Sequence, residues 1–198
     1  MDSVLLMQAA KVTLGQSAQE GAMTIMPIVA NRIVTSANMK VGTYTIANQP
    51  KAPAILSVTI STGGGVADTM GTLAFVGTDI DGNAISETVT PIAASTVYTT
   101  NAYKTVTSIT GAGWVIDASP ATADTIVVGV RDVVAPAGFY FSAIQVLAAA
   151  VVASQTAYST FYVQDFTQFT SLPVGVYPTK LTKIALTSGE AVAYLTRY

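Results

Sequence analysis

Apolar and β-branched residues occur in short runs, separated by turn-forming residues, along most of the chain. The run at 54–61 alternates in parity, and similar runs cover residues 72–78, 84–90, 97–110 and 125–131. Glycines, prolines and an Asp-Gly turn separate these runs, and helical periodicity is weak. Strands at such close spacing are typical of β-sandwiches and barrels. We therefore predict an all-β fold, an antiparallel β-sandwich of immunoglobulin-like or jelly-roll-like type.

The beginning of the chain differs from this middle region. Residues 1–50 are mixed in character, with a short helix predicted over 2–11 and with Pro27 weakening a central-strand assignment. We predict that they form an extended N-terminal arm or a peripheral layer. Residues 48–53 contain two prolines and predict a linker, so the sandwich core is predicted over 51–135, with its first strand beginning near Ala54.

The last third, residues 136–198, continues the strand pattern. Strands are predicted at 139–152, 160–166, 174–184 and 190–197, with Pro173 and Pro178 as interruptions. The pattern leaves two alternatives open for this third. It either completes the sandwich or forms a small second β layer.

The composition is poor in charge and lacks two reactive residue types. Charged residues make up 10% of the chain, against about 25% in an ordinary soluble domain. The chain has no histidine and no cysteine, which excludes Ser-His-Asp and Cys-His nucleophiles, thiolate or imidazole metal sites and disulfides. A carboxylate-only site stays open, but the composition favours a structural or binding protein over an enzyme. We predict no enzyme activity, no catalytic residues, no cofactor and no metal.

The charge distribution and the apolar runs also restrict the partners. The net charge of −2 and the scattered cations argue against nucleic acid as a partner. The start of the chain lacks the positive region of a signal peptide, and the longest apolar stretch, 146–153, is far short of the roughly 20 residues that span a bilayer. We predict a product of the cytoplasm with no membrane partner.

The sharpest local motif is the predicted hairpin turn at Asp79, Asp81, Gly82 and Asn83. Its spacing is similar to the opening of a calcium loop, but Glu87 does not lie where the bidentate acid of such a loop is required. A glycosidase-type pair drawn from the same acids would lack a nearby aromatic platform. We predict a hairpin in which Gly82 adopts positive φ and an aspartate side chain caps backbone amides.

Glu87 is unusual because it shares strand parity with Ile85 and Val89, on the apolar side of its strand. A lone carboxylate on an apolar face is costly unless it is paired. We predict that Glu87 pairs with Lys104, either across neighbouring strands or across a subunit boundary. The alternative is an edge strand that is wet on both faces.

Three stretches in the middle of the chain form an ordered set of motifs. They are Gly-Thr-Leu-Ala-Phe-Val-Gly-Thr-Asp-Ile-Asp-Gly-Asn-Ala-Ile-Ser-Glu-Thr-Val-Thr at 71–90, Ala-Tyr-Lys-Thr-Val-Thr-Ser-Ile-Thr at 102–110 and Ala-Asp-Thr-Ile-Val-Val-Gly-Val at 123–130. Their order and spacing resemble a pattern found in virion structural proteins of tailed bacteriophages. The resemblance covers roughly residues 50–131. It implies a β-sandwich particle component and carries over no catalytic residue.

Composition and resemblance together predict a non-enzymatic structural subunit of a bacteriophage particle, located in the virion. We expect a capsid decoration or head-tail accessory protein that forms a homo-oligomer and contacts the major capsid or the tail and neck proteins. Stable subunit interfaces are depleted in charge, as this chain is. The alternative is a carbohydrate-binding or adhesive β-module of a phage fibre or tail, with Trp114 or clustered tyrosines as its contact residues.

Overall fold

The computed structural model describes residues 21–38, 42–61, 70–114, 125–158 and 164–198. Within these residues the chain forms β-strands and one short 3-10 helix. The elements are β1 (Gly21–Ile25), β2 (Val29–Asn38), β3 (Ala54–Ser61), β4 (Thr72–Thr78), β5 (Ala84–Val89), β6 (Thr96–Tyr103), β7 (Thr105–Ala112), β8 (Thr125–Val134), β9 (Phe139–Ala157), the helix η1 (Phe166–Gln168) and β10 (Gly175–Arg197).

The strands form a larger and a smaller sheet. In the described part of the chain, the larger sheet follows the order β1-β10-β8-β3-β6, with β2 beside β8 and β9 beside β10. The smaller sheet has the order β5-β4-β7. All pairs of named strands are antiparallel. The predicted all-β antiparallel sandwich is therefore confirmed, and the predicted strands at 54–61 and 72–78 coincide with β3 and β4.

The sandwich core lies between the two sheets. Inward side chains of β3 and β8 pack against inward side chains of β4 and β7, and Phe75 and Tyr103 lie at its centre with ring centroids 6.2 Å apart. Along β4 the alternation is strict, since Leu73 and Phe75 are fully buried while Ala74 and Val76 are exposed. The hydrophobic effect acting on this period-two pattern fixes which face of the smaller sheet is inside.

A second hydrophobic cluster belongs to β9 and β10. Val146 on β9 pairs with Gly175 near the beginning of β10 and with Ala191 near its end, so β10 flanks β9 on both sides. The two long strands curl around buried side chains that include Phe141 and Leu186. The last third thus has apolar contacts of its own, while β10 joins the larger sheet through short pairing with β8.

Two strand assignments in the last third need correction. The predicted strand at 160–166 lies partly outside the described residues, which resume at 164. Its end is not a strand, because Phe166 begins η1 and is buried there. The Asp165 side chain caps this helix by accepting a hydrogen bond from the Thr167 amide. Pro178 does not end a strand, because it lies inside the continuous β10. There β10 pairs with β9 on one side, and proline is tolerated on an edge of this kind.

The run predicted as one strand at 97–110 is two strands in different sheets. The chain leaves the larger sheet after Tyr103 and enters the smaller sheet at Thr105. The bend is held at Lys104, whose amide donates to the Thr78 carbonyl over 2.8 Å. The residues before and after Lys104 all favour β-strands. The side-chain pattern therefore does not predict that the chain changes sheet at this residue.

Part of the segment predicted as an arm or peripheral layer is built into the larger sheet. β1 pairs with the end of β10, and β2 pairs with β8. Pro27, between these strands, forms an isolated parallel bridge with Leu186. The short helix predicted over 2–11 lies outside the described residues.

The segment 42–53, which includes the predicted linker, covers the free edge of β7. The Tyr44 amide donates to the Ile109 carbonyl over 3.0 Å. Further along, the Gln49 side-chain amide makes both hydrogen bonds of a strand partner, because Val106 N donates to Oε1 over 2.7 Å and Nε2 donates to the Val106 carbonyl over 2.9 Å. An edge that would otherwise present unpaired backbone groups is closed without another strand.

The tight bend of β10 at Gly189 leads to a prediction about stability. Gly189 has φ of +85°, and a Cβ there would clash with the Ala149 carbonyl and lie 2.5 Å from the Ala150 Cα. Gly82 has a similar φ of +87°, but a Cβ there meets nothing within 4 Å. We expect Gly82→Ala to cost about 1–2 kcal/mol of unfolding free energy from backbone strain alone, and Gly189→Ala to cost clearly more.

Urea unfolding of both variants measures the difference. The matched φ values cancel the strain that the two sites share. An equal loss in both variants would contradict the close approach of β9 to β10 at this bend.

Candidate functional site

The predicted hairpin turn joins β4 to β5 and is organised by Asp79. Its Oδ1 accepts hydrogen bonds from the amides of Asp81 and Asn83, both over 2.9 Å, and its Oδ2 accepts one from Asn83 Nδ2 over 3.1 Å. Gly82 supplies the positive φ, and its amide donates to the Asp79 carbonyl. The turn therefore has the geometry of a hairpin whose aspartate caps the backbone.

These hydrogen bonds favour the charged form of Asp79. The Asn83 side chain, followed by the amides of the turn, lowers the pKa of the Asp79 carboxyl below its usual 3.8. Both carboxylate oxygens are used within the turn itself. Among the described residues, no group of three or more acidic, histidine or cysteine side chains is arranged to hold a metal ion.

Glu87 lies on β5 of the smaller sheet and reaches the larger sheet. Its Oε1 accepts from the Thr100 amide over 2.6 Å, and its Oε2 accepts from the Asn101 amide over 2.9 Å. Both amides belong to β6, the edge strand of the larger sheet. Glu87 as a residue is half-buried, and it lies on the inward side of β5 because it shares parity with Ile85 and Val89. We call this arrangement the Glu87 clamp.

The Glu87 clamp lies at a β-bulge. Opposite the single residue Leu56 of β3, the strand β6 contains three residues, 99–101, because Ile55 pairs with Ala102 and Ser57 pairs with Tyr98. The Leu56 amide donates its hydrogen bond to the Thr99 hydroxyl oxygen, over 2.9 Å, and not to a backbone carbonyl. The bulge leaves amides without ladder partners, and the glutamate supplies the acceptors.

The predicted pairing of Glu87 with Lys104 across strands is wrong. Lys104 Nζ donates instead to the Ile80 carbonyl over 3.2 Å, which ties the hairpin turn to the bend between β6 and β7. Among the described residues, an ion pair joins Arg131 and Asp132, with 3.6 Å between Arg131 Nε and Asp132 Oδ2. The charge of the Glu87 carboxylate is compensated by hydrogen bonds from two backbone amides. A sequence pattern does not reveal partners of this kind. Pairing of Glu87 with Lys104 across a subunit boundary stays a prediction.

Tyr103 lies next to the Glu87 clamp and is fully buried. Burial, with a further contribution from the Glu87 carboxylate, raises the pKa of Tyr103 to about 12. The phenol thus remains neutral at physiological pH. It serves as a core side chain that packs on Phe75.

The acids considered for glycoside hydrolysis are not arranged as a catalytic pair. Asp79 is committed to its turn and Glu87 to the amides of β6, while Asp81 is exposed on the turn. A glycosidase needs one carboxylic acid and one carboxylate facing each other across a substrate cleft. The geometry of these three residues does not provide that arrangement.

The aromatic residues predicted as contact residues separate into two groups. Trp114 is half-buried, packs against the sandwich core, and lies so close to Gly111 that a Cβ there would clash with the indole nitrogen. Tyr140, Tyr158 and Tyr198 instead form a row, with centroid distances of 5.2 Å and 4.5 Å between successive rings, in which Tyr140 is half-buried and the other two are exposed. Their sequence separation gave no signal for this cluster, because the curl of β9 and β10 brings the rings together.

Comparison of the chain with protein-family models, with curated proteins and with solved structures finds no match. A search of the described residues finds no helix that is long and apolar enough to span a bilayer.

The Glu87 clamp predicts a specific loss of stability. Glu87→Gln retains one acceptor oxygen but places an NH2 group against the second amide. We expect a loss of about 1–3 kcal/mol in unfolding free energy and faster hydrogen exchange at Thr100 and Asn101. Glu190→Gln, on an exposed side chain of β10, is the matched control and is expected to be nearly neutral. Equal effects in urea unfolding would contradict the clamp.

The Asp79 turn predicts a pH dependence. A lowered folded-state pKa stabilises the fold at pH values above the ordinary carboxyl value, and this stabilisation is lost as the pH falls through the folded-state pKa. We expect the stability gap between the wild type and Asp79→Asn to be constant near neutral pH and to shrink below about pH 4. Urea unfolding across this pH range measures the gap. A gap that widens at low pH would refute the assignment.

Proposed function

We propose that the chain is a non-enzymatic structural subunit of a tailed-bacteriophage particle, a capsid decoration or head-tail accessory protein. In this role it assembles with copies of itself and with major capsid, tail or neck proteins. The proposal starts from the three sequence motifs and adds two properties of the described surface.

The motifs that carry the resemblance lie together in the sandwich. The first spans β4, the Asp79 turn and β5, the second covers the end of β6 and most of β7, and the described part of the third lies in β8. Inward residues of all three meet in the core around Phe75 and Tyr103. The motifs therefore supply the core of the sandwich and one of its hairpins, and such a structural role fits a particle component.

The observation that carries the proposal is a pair of long sequence stretches without charge that expose apolar side chains. No charged residue occurs between Asp132 and Asp165 or between Asp165 and Lys180. Within these stretches Leu147 and Val174 expose 46% and 67% of their surface. Exposed apolar surface rimmed by polar residues is characteristic of contact regions, and the cores of subunit interfaces are depleted in charge.

A second candidate function rests on the row of tyrosines. Tyr158 and Tyr198 expose 41% and 63% of their surface, and stacked rings at the surface are suited to contact with sugar rings. Such a row favours a carbohydrate-binding or adhesive module of a phage fibre or tail. The two functions differ in what the tyrosines do, so one set of variants separates them.

Imaging of particles assembled with a tag after Tyr198 tests the proposal. A virion subunit is expected to label particles, over the shell for a decoration protein or at one vertex for a neck or tail protein. Tyr158→Ala is expected to leave labelling intact. Tyr44→Ala, at a buried position, is the control that shows the effect of general destabilisation on labelling. Unlabelled particles would overturn the assembly role. Saturable glycan binding that is lost in Tyr158→Ala would support the adhesive module instead.

A further inference from the structure

Two cationic side chains, Arg32 and Lys51, line one open cleft on the larger sheet. The cleft lies where the chain between β1 and β2, the strands β2 and β8 and the segment before β3 meet. Counted out to the open solvent, its space is about 300 Å³. Its apolar lining includes Met26, Pro27, Val130 and Val133. We call this feature the basic cleft, since no described acidic residue lines it.

A large bulge in β2 brings Arg32 to the basic cleft. Residues 30–33 of β2 lie opposite the single residue Gly129 of β8. The chain passes so close to this glycine that a Cβ there would lie 2.3 Å from the Val29 carbonyl oxygen. Bulges redirect the side chains of the strand that contains them. The close approach at Gly129 therefore belongs to the structure that presents Arg32.

Hydrogen bonds hold the bulge and the arginine in place. Arg32 Nε donates to the Gln49 carbonyl over 2.9 Å. Gln49 is itself fixed, because its side chain pairs with the backbone of Val106 in both directions. The Ala47 amide donates to the Ile33 carbonyl over 2.8 Å, so the same segment also holds the bulge. A side chain that is already ordered loses less conformational entropy when a ligand binds.

The positive charge of the basic cleft is not neutralised by the described residues. Neither Arg32 nor Lys51 forms an ion pair with a described acid, and Lys51 makes no hydrogen bond to a described residue. Arg131, by contrast, pairs with Asp132 and lies 4.0 Å over the Tyr98 ring. Of the five N–H donors of the Arg32 guanidinium, the bond from Nε uses one. Like charges that line one cleft focus a positive potential, which attracts an anion.

We propose that the basic cleft binds the carboxylate of a ligand that carries a short apolar stem. The guanidinium of Arg32 offers a fork that fits both oxygens of one carboxylate, and Lys51 adds a second positive charge. The apolar walls at Met26 and Val133 suit CH2 groups next to that carboxylate. An acidic side chain of another protein has this chemistry, and so does a free short-chain carboxylic acid.

The proposed function favours the first of these two sources. In a particle, the carboxylate would belong to an acidic side chain of a neighbouring protein, and only this choice of source rests on the proposed function. Ion pairs at an exposed site are weak, and about 0.1 M salt screens them. We therefore expect a Kd of about 1 mM for a single carboxylate. Many such contacts on one particle would act together through multivalency.

Titration of the isolated protein with sodium butyrate, followed through backbone amide chemical shifts, tests the site. Saturable shifts are expected at Arg32 and Ala52, and none is expected with neutral butyramide at the same salt concentration. Lys51→Gln is expected to weaken binding several-fold. Lys180→Gln removes the same charge from an exposed position of β10 that does not line the cleft, and it should bind like the wild type.

A blocked tripeptide with one glutamate between two alanines distinguishes the two sources of the carboxylate. Binding at least as tight as that of butyrate indicates a protein side chain, whereas binding of butyrate alone indicates a free acid. Both outcomes support the site. The titration of the wild type does not depend on how the variants fold.

Three results would overturn the inference. They are a wild type without saturable shifts with either ligand, tighter binding of inorganic phosphate than of butyrate, and equal weakening in Lys51→Gln and Lys180→Gln. No particle takes part in these titrations, so particle labelling tests the proposed function separately.

Discussion

A carboxylate that binds backbone amides ties the two sheets together close to the point where the chain passes from one sheet to the other. Glu87 extends from the smaller sheet to the Thr100 and Asn101 amides of the larger sheet. These amides exist without ladder partners because β6 bulges before it bends at Lys104 and continues as β7. A charged acceptor makes stronger hydrogen bonds than a neutral one, so a single half-buried side chain can hold the bulge. The bend, the bulge and the clamp form one unit.

Side chains replace backbone partners at other sites in this sandwich. The Gln49 amide pairs with Val106 like a strand residue, and the Thr99 hydroxyl binds the Leu56 amide. Asp79 binds the amides of its own turn. Each of these side chains supplies a hydrogen-bond partner to backbone groups at a place where a sheet ends or changes direction. Without it, those backbone groups would lack a partner. Several of the few charged or amide side chains are therefore committed to the fold itself.

The exposed faces that remain are consistent with the assembly role that we propose. The outward side of the smaller sheet is rich in hydroxyl groups, while β9 and β10 expose the apolar side chains of Leu147 and Val176. A chain with 10% charged residues can do without many charges if part of its surface is covered.

The sequence alone determined the fold class, most strand positions and the hairpin turn. Alternation of buried and exposed positions in β4, and an Asp-Gly pair between two such runs, are local signals that tertiary contacts did not override. The inward parity of Glu87 was also visible in the sequence, although its partner was assigned wrongly. Only the tertiary structure decided that the partner is a pair of amides, that β6 and β7 lie in different sheets, and that β10 flanks β9 twice. These features arise from pairing between residues far apart in the chain, and backbone amides are the same in every residue, so side-chain patterns do not encode them.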